Sequence, residues 1–180
     1  MAYDLYNEPA NMSLSKEIIC NSVNNWYTII KTNDPNHMVT IGLQNALDVF
    51  SWDPGLLSVD FLSFHLYPFP STNDTHLIFD PRKRVFSDIK WISNIANKIN
   101  KPWIIGETGF AADLDGSPNT NDWGTEMDQD NYARAIIKRS GNCGSSGFSW
   151  WQYHDVYWES PTRDYLGFYS HDNIGKKIVK

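Results

Sequence analysis

Short apolar runs alternate with longer amphipathic segments along the chain. The short runs have the length of buried strands, and the longer segments repeat apolar residues at the three- and four-residue spacing of a helix. In this order, the two patterns predict parallel strands joined by helices. The predicted strands cover residues 2–6, 38–43, 61–67, 103–106 and 147–153, and the predicted helices cover about residues 15–33, 85–99 and 128–139.

The third predicted strand, residues 61–67, alternates most clearly between apolar and polar positions. Its two faces carry Leu62, Phe64 and Leu66 on one side and Ser63, His65 and Tyr67 on the other. In a barrel, the apolar face would contact the surrounding helices and the polar face would point inward.

The first predicted helix carries a long apolar stripe. We expect this stripe to be buried, and its members are Ile18, Ile19, Val23, Trp26, Ile29 and Ile30. The helix is expected to end near Asn33-Asp34-Pro35, because proline disfavours helical conformation in the residue before it.

Polar and aromatic residues recur at the carboxyl ends of the predicted strands. Glu8 closes the first strand segment, His65 and Tyr67 the third, and Glu107 the fourth. Active sites of parallel α/β barrels lie at this end of the strands. An open doubly wound sheet is the alternative, but no glycine-rich phosphate loop follows any strand. The predicted fold class is therefore α/β, as a partial (β/α)₈ barrel.

Glu8 and Glu107 end two strands in the same register. Two carboxyl groups about 5 Å apart are what the retaining cleavage of a glycosidic bond requires. Asn7 could hold a sugar hydroxyl beside the reacting bond. Gly106 and Gly109 flank Glu107 and would let a substrate approach closely. Taken singly, each residue has an ordinary explanation, such as a solvated surface glutamate, a core histidine or a core tryptophan. The ordered set favours a functional site.

Five segments, taken in chain order, resemble retaining glycoside hydrolases of the large barrel clan that includes the cellulase-like family 5 enzymes. They are Tyr3-Asp4-Leu5-Tyr6-Asn7-Glu8-Pro9, Thr32-Asn33-Asp34-Pro35-Asn36-His37, Phe64-His65-Leu66-Tyr67-Pro68, Ile105-Gly106-Glu107-Thr108-Gly109 and Gly147-Phe148-Ser149-Trp150-Trp151. By this resemblance they correspond to barrel strand four, the connection to strand five, and strands six, seven and eight.

The resemblance implies a role for each candidate site residue. Glu8 would be the general acid/base and Glu107 the nucleophile, while Asn7, His65, Tyr67 and Trp151 would bind substrate. Tyr67 would also hydrogen-bond the nucleophile. Trp151 is preferred over its neighbour Trp150 as the sugar platform because it lies two residues after the small Ser149 and so shares a face of the strand with it.

The implied reaction is retaining cleavage of a β-linked polysaccharide or oligosaccharide, of the endo-glucanase or mannanase kind, with exo action as a further possibility. No metal or organic cofactor is expected. An inactive carbohydrate-binding remnant of such a barrel is the rival, and a secreted or extracellular location is the expectation.

Composition excludes several other functions. Fifteen Lys and Arg are scattered among 21 Asp and Glu, which argues against a nucleic-acid partner. No apolar run has the length of a membrane span. Cys20, Cys143 and the five histidines lack metal-ligand spacing, which disfavours a metal-dependent hydrolase.

Residues 1–180 are predicted to form one domain, the C-terminal part of the barrel. By the resemblance, strands one to three would precede residue 1 and would supply an arginine near the nucleophile and part of the substrate wall. Either a longer protein or another chain would provide them. Open strand edges predict poor solubility, self-association or pairing with a complementing N-terminal segment.

Overall fold

Parallel strands and long helices alternate in the structure, a computed structural model that describes residues 1–12, 14–48, 53, 55–68, 81–113, 123–159 and 164–179. In chain order, the described elements are β1 (Ala2–Asn7), α1 (Lys16–Asn33), β2 (Met38–Leu43), β3 (Leu62–His65), α2 (Pro81–Ile99), β4 (Trp103–Thr108), β5 (Ala112–Asp113), β6 (Gly124–Thr125), α3 (Glu126–Asn142) and β7 (Phe148–Trp150). Short 3₁₀ helices span Pro9–Met12 and Lys177–Val179.

The main sheet has the strand order β1-β2-β3-β4-β7, and every neighbouring pair is parallel. This order follows the chain without the reversal that defines a doubly wound sheet. The sheet curls into a half-barrel with its helices. The structure therefore confirms the predicted partial barrel and excludes the doubly wound alternative.

The hydrophobic core lies between the sheet and the helices. Its central cluster includes Leu62, Phe64 and Leu66 together with helical residues such as Val23 of α1, Ile89 of α2 and Ile136 of α3. The apolar face predicted for the third strand is thus confirmed. Its polar face lies on the opposite side of the sheet, toward the barrel axis.

Helix α1 has nearly the predicted bounds but buries a narrower face than predicted. Ile19 and Val23 are buried, whereas Ile18, Trp26 and Ile29 keep exposed fractions of 51%, 39% and 52%. These three side chains lie on a neighbouring stripe that is open to solvent. In a closed barrel, a neighbouring helix of the outer ring would cover such a face.

Two strands end earlier than the sequence predicts. β3 ends at His65 and leaves Tyr67 beyond the ladder, next to Pro68, which has no N–H to donate. In β7, the N–H of Trp151 donates to the Thr108 carbonyl at 2.7 Å, after which the chain leaves the sheet. Helices α2 and α3 are longer than predicted.

In the described part of the chain, no helix combines the length and apolarity that crossing a bilayer requires.

Strands β1 and β7 are the two edges of the described sheet. Large side chains at both edges, such as Tyr3, Tyr6 and Phe148, remain partly exposed. Within the described residues the sheet does not close on itself. Edges of this kind offer unpaired backbone groups to a further strand.

A buried ion pair, which the sequence did not predict, anchors the C-terminal segment. Lys176 Nζ lies 2.9 Å from Asp155 Oδ1, and neither side chain is more than 1% exposed. The ammonium also donates to the carbonyls of Ala112 and Tyr165, both at 2.9 Å. Burial raises the pKa of Asp155, and the Lys176 charge opposes that rise.

Replacing Lys176 with Met is expected to lower the free energy of unfolding by about 3–5 kcal/mol, because it leaves the Asp155 carboxylate buried without its counter-charge. Urea unfolding followed by circular dichroism measures the loss. A double variant, Lys176→Met with Asp155→Leu, should recover most of it, since no uncompensated charge remains. A single variant as stable as the wild type would contradict this interpretation.

Candidate active site

The carboxyl ends of β1, β3 and β4 bring three polar side chains together. Glu8 directly follows β1, His65 ends β3, and Glu107 lies in β4 opposite His65 in the ladder. His65 Nδ1 lies 2.8 Å from Glu8 Oε1 and 3.5 Å from Glu107 Oε2. The shorter contact has hydrogen-bond length, so the histidine is bonded to Glu8 and stands beside Glu107.

The two carboxylates face each other at short range. One oxygen of each carboxylate and one ring nitrogen of His65 all lie within 4.8 Å of one another. Carboxyl groups about 5–5.5 Å apart support a double displacement, whereas inverting enzymes separate them by about 6.5–9.5 Å to admit a water. The geometry of Glu8 and Glu107 therefore suits the retaining reaction.

Glu8 has an unusual backbone conformation. Its φ of 52° lies in the left-handed region, which residues other than glycine rarely adopt. Its N–H donates to the Gly42 carbonyl of β2 at 3.0 Å. Conformations of this kind are concentrated at functional sites, where the surrounding structure holds them in place.

His65 lies behind the carboxylates rather than in front of them. Its side chain is only 2% exposed. A Cβ on Gly42 would lie 2.8 Å from His65 Nε2, so the glycine makes room for the ring. The buried position favours a role in orienting Glu8 over direct contact with a sugar.

Opposing effects set the protonation of Glu107. The net result is a pKa above the usual value for a glutamate: burial raises it most, and the nearby charges of Glu8 and Asp4 raise it further. The charge of His65 and the hydrogen bond from Tyr67 lower it. The Tyr67 hydroxyl donates to Glu107 Oε2 at 2.9 Å. Burial and the adjacent Glu107 carboxylate raise the pKa of Tyr67, which keeps this donor protonated.

Replacing Tyr67 with Phe is expected to raise the pKa of Glu107, because the lost hydrogen bond stabilised the ionised carboxylate. A ¹³C NMR titration of the Glu107 carboxyl carbon measures the shift without requiring activity. Tyr27→Phe is the matched control, since it removes a tyrosine hydroxyl that donates to a distant carboxylate, Asp60, at 3.0 Å. An unchanged or lowered pKa of Glu107 in the Tyr67 variant would contradict the prediction.

A cavity of about 200 Å³ opens in front of the carboxylates. The described residues that line it are Asn7, Glu8, Gln44, Tyr67, Glu107, Trp123, Trp151, Glu159 and Leu166. Five residues assigned to the site by sequence lie on this wall, and the sixth, His65, lies behind it.

The two adjacent tryptophans at the end of β7 point in different directions. Trp151 lines the cavity, and its Nε1 donates to Glu159 Oε1 at 2.8 Å. Trp150 instead stacks on Phe168 at a centroid distance of 5.3 Å and donates from Nε1 to the Leu166 carbonyl. The choice of Trp151 from its parity with Ser149 thus agrees with its position.

The glycines beside Glu107 are required by close packing, which the sequence did not predict, and their role in letting a substrate approach stays a prediction. A Cβ on Gly106 would lie 2.0 Å from Ser63 Oγ on the neighbouring strand. A Cβ on Gly109 would lie 2.3 Å from the Trp151 carbonyl oxygen. Both positions need glycine because neighbouring strands and their side chains approach so closely.

Sequence reasoning missed Gln44 and Glu159 as cavity residues. Gln44 directly follows β2, so the strand-end rule could have found it, and its N–H donates to the buried Asp48 at 2.8 Å. Glu159 lies in an irregular loop that gives no periodic signal. The sequence also offers four aromatic residues as candidates for a cleft lining: Trp52, Trp123, Tyr157 and Trp158. Trp123 lines the cavity, Tyr157 and Trp158 are largely exposed and are not among the described lining residues, and Trp52 is outside the described residues.

Glu8, His65 and Glu107 are also the described residues closest to a metal-ligand arrangement. A cation there would have to displace the 2.8 Å contact between His65 Nδ1 and Glu8. That contact supplies His65 with a carboxylate partner in place of a metal. The absence of a metal cofactor stays a prediction.

The half-barrel and its paired carboxylates define the class of protein as a glycosidase-like α/β barrel. The family model described as Cellulase (glycosyl hydrolase family 5) matches residues 1–154, and the chain belongs to this family. No match was found among curated proteins.

Several solved structures share the fold. A β-glucuronidase from an uncultured Clostridium sp. has a TM-score of 0.72 at 16% identity, over 99% of this chain and 30% of its own. A Faecalibacterium prausnitzii β-glucuronidase has a TM-score of 0.73 at 15% identity, over 96% and 29%. A Ruminococcus gnavus β-glucuronidase in complex with uronic deoxynojirimycin has a TM-score of 0.72 at 14% identity, and the match covers 98% of this chain and 31% of that structure's chain.

The chain therefore spans less than a third of the length of these three structures. At such low sequence identity, the similarity shows the fold alone.

Proposed function

We propose that this chain carries the catalytic site of a retaining glycoside hydrolase that acts on a β-linked polysaccharide or oligosaccharide. The observation that supports this most strongly is the approach of Glu8 and Glu107, whose facing oxygens lie within 4.8 Å of one another. Membership of glycosyl hydrolase family 5 agrees with the proposal.

Glu107 is the proposed nucleophile by its place in the family resemblance. The charge of His65 and the hydrogen bond from Tyr67 favour its ionised form and oppose burial, which raises its pKa. In the first step, a Glu107 oxygen bonds to the anomeric carbon while the bond from that carbon to the glycosidic oxygen breaks. Glu8 donates its proton to the departing oxygen, and His65 holds the Glu8 carboxyl group in position.

The second step releases the sugar. The glycosyl bond neutralises Glu107, so the pKa of Glu8 falls and Glu8 can act as a base. Water gives a proton to Glu8 and bonds to the anomeric carbon as the bond to Glu107 breaks. Both carboxyl groups return to their starting states, and the two displacements together retain the anomeric configuration.

The cavity wall offers two kinds of contact to a sugar. The rings of Trp151 and Trp123 provide flat apolar surfaces. The Trp123 ring packs edge-on against the Tyr67 ring, with 6.5 Å between the two ring centroids. The side-chain amides of Asn7 and Gln44 can donate to and accept from hydroxyl groups. These contacts suit a sugar ring with free hydroxyl groups. Within that class, endo-glucanase or mannanase action is the proposed specificity, with exo action as the alternative.

The stereochemistry of the product tests the retaining mechanism. Hydrolysis of an aryl β-glycoside, followed by ¹H NMR, is expected to release the β-anomer first and the α-anomer only later by mutarotation. Initial release of the α-anomer would overturn the mechanism. Binding without hydrolysis would favour the rival, an inactive carbohydrate-binding protein.

Closure of the half-barrel by a complementing segment or by a second copy is also proposed. The support comes from the partly exposed faces of β1 and α1. Light scattering of the purified chain is expected to give a mass above that of one copy, and a strictly monomeric chain that remains soluble would contradict this. A secreted or extracellular location, and residues 1–180 as one domain, stay predictions.

A further inference from the structure

Asn7 and Glu8 both line the cavity, although they are neighbours in the chain. Successive residues of a regular strand point to opposite faces of the sheet. In regular geometry, one of the two side chains would therefore face the cavity and the other would face the helices. A local departure from strand geometry turns both toward the reacting centre.

This departure is a shift of register between β1 and β2. Asp4 lies opposite Thr40 in the ladder. The next pair along the ladder is Asn7 and Gly42, so β1 advances by three residues while β2 advances by two. One extra residue in one strand defines a β-bulge, which bends the strand and re-aims its side chains. The bulge directly precedes Glu8, whose φ of 52° is left-handed.

The Asp4 carboxylate holds the bulge together. Its Oδ1 accepts hydrogen bonds from the Gly42 N–H of β2 at 3.0 Å and from the Tyr6 N–H of β1 at 3.3 Å. One oxygen atom thus joins the bulged strand to its neighbour. The Gly42 carbonyl in turn accepts the N–H of Glu8 at 3.0 Å. Asp4 is therefore linked through Gly42 to the backbone of the proposed acid/base.

Asp4 also borders the side-chain partner of Glu8. A Cβ on Gly42 would lie 3.4 Å from Asp4 Oδ2 and 2.8 Å from His65 Nε2, so both side chains stand over the same glycine. Burial raises the pKa of Asp4, and the Gly42 and Tyr6 N–H groups and the charge of His65 oppose that rise. His65 contacts Glu8 through Nδ1 at 2.8 Å. Asp4 thus lies next to both groups that fix Glu8, its backbone partner and its side-chain partner.

We propose that Asp4 is a positioning residue for the reaction. Its carboxylate shapes the bulge that turns Asn7 and Glu8 together into the cavity, and it thereby places the Glu8 carboxyl group for proton transfer. Asp4 is not among the described residues that line the cavity, so it acts through Glu8 rather than on the sugar. This inference rests on the proposed function, because it assigns proton transfer to Glu8.

The variants separate the acceptor oxygen of Asp4 from its charge. Asp4→Asn keeps an oxygen that can accept both N–H groups, whereas Asp4→Ala removes it. Asp60→Ala is the matched control, because the Asp60 carboxylate accepts the Val39 N–H near the opposite end of β2 at 2.8 Å. Asp4→Glu, which displaces the carboxylate by one methylene group, replaces Asp4→Ala if that variant does not fold.

Two measurements compare these variants with the wild type. Hydrolysis of dinitrophenyl and phenyl β-glycosides compares a leaving group that needs little protonation with one that needs much. Crystal structures give the φ of Glu8 and the distance from His65 Nδ1 to the Glu8 carboxylate, and they require no turnover.

Asp4→Ala is expected to lower kcat/KM about tenfold more for the phenyl than for the dinitrophenyl glycoside, since misplacing Glu8 removes part of the effect of general acid catalysis. Its Glu8 should also leave the left-handed region. Asp4→Asn and Asp60→Ala should keep the wild-type ratio and the wild-type Glu8 conformation.

Equal losses for both leaving groups would indicate a merely structural role and would overturn the inference. An unchanged Glu8 conformation in Asp4→Ala, or equal effects of Asp4→Asn and Asp4→Ala, would also overturn it. A wild type that hydrolyses neither glycoside would contradict the proposed function. In that case the Glu8 conformation in the crystal structures would still decide whether Asp4 shapes the bulge.

Discussion

Replacing Glu107 with Gln is expected to lower kcat on an aryl β-glycoside by a factor on the order of 10⁴ to 10⁶, a loss typical of variants without their nucleophile. A neutral amide cannot form the glycosyl bond. Glutamine has nearly the same shape, and its amide oxygen can still accept the hydrogen bond that Tyr67 now donates to Glu107 at 2.9 Å. The fold should therefore remain intact, as circular dichroism and urea unfolding can verify.

Two controls make the Glu107 result specific. Glu17→Gln makes the same chemical change on the exposed face of α1 and should leave kcat unchanged. Treatment with EDTA should also leave wild-type activity unchanged, since no step uses a metal. Wild-type turnover in the Glu107 variant would refute its assignment, and loss of activity with EDTA would favour a metal-dependent hydrolase.

Replacing Glu8 with Gln is expected to slow hydrolysis by about 10²- to 10⁴-fold when the leaving group is a poor one, since general acid catalysis has that magnitude. A dinitrophenyl glycoside needs little protonation, so formation of the glycosyl-enzyme should be nearly normal with it. The second step should then be slow, because no base activates the water. Added azide, which needs no base, should restore turnover of this substrate.

The kinetic pattern of the Glu8 variant distinguishes an acid/base catalyst from a structural residue. Initial bursts and steady-state rates are measured with a series of leaving groups of different pKa. Equal losses for every leaving group, without rescue by azide, would show that Glu8 acts in some other way.

His65 provides a check on how the Glu8 carboxyl group is positioned. Its side chain lies 2.8 Å from Glu8, so His65→Ala is expected to weaken proton transfer by Glu8. The same variant should still form the covalent bond between Glu107 and an activated fluoro sugar.

The sequence predicted those features that depend on short-range periodicity and strand ends. The alternation in residues 61–67 placed Phe64 in the core and His65 on the opposite face, as the structure has them. The carboxyl ends of parallel strands lie at one rim of a barrel. The strand-end positions of Glu8 and Glu107 therefore implied that the two carboxylates are close, as they are in the structure.

Features that depend on neighbours far away in the sequence could not be predicted in this way. The stripe on α1 showed which residues are apolar but not that Trp26 and Ile29 lack a covering element among the described residues. Lys176 resembles any surface lysine until the fold brings Asp155 within 2.9 Å of it. Glu159 reaches the cavity through an irregular loop, where no periodic pattern indicates the direction of a side chain.

The most direct test of the central claim is to identify the residue that bonds to the sugar. The native protein is incubated with activated 2-deoxy-2-fluoro β-glycosides of several sugars, and its intact mass and peptide masses are then measured. The account predicts an increase of one fluoro sugar on the peptide that contains Glu107, with the reactive reagent identifying the sugar. Attachment to a different residue, or no attachment with any reagent, would contradict it.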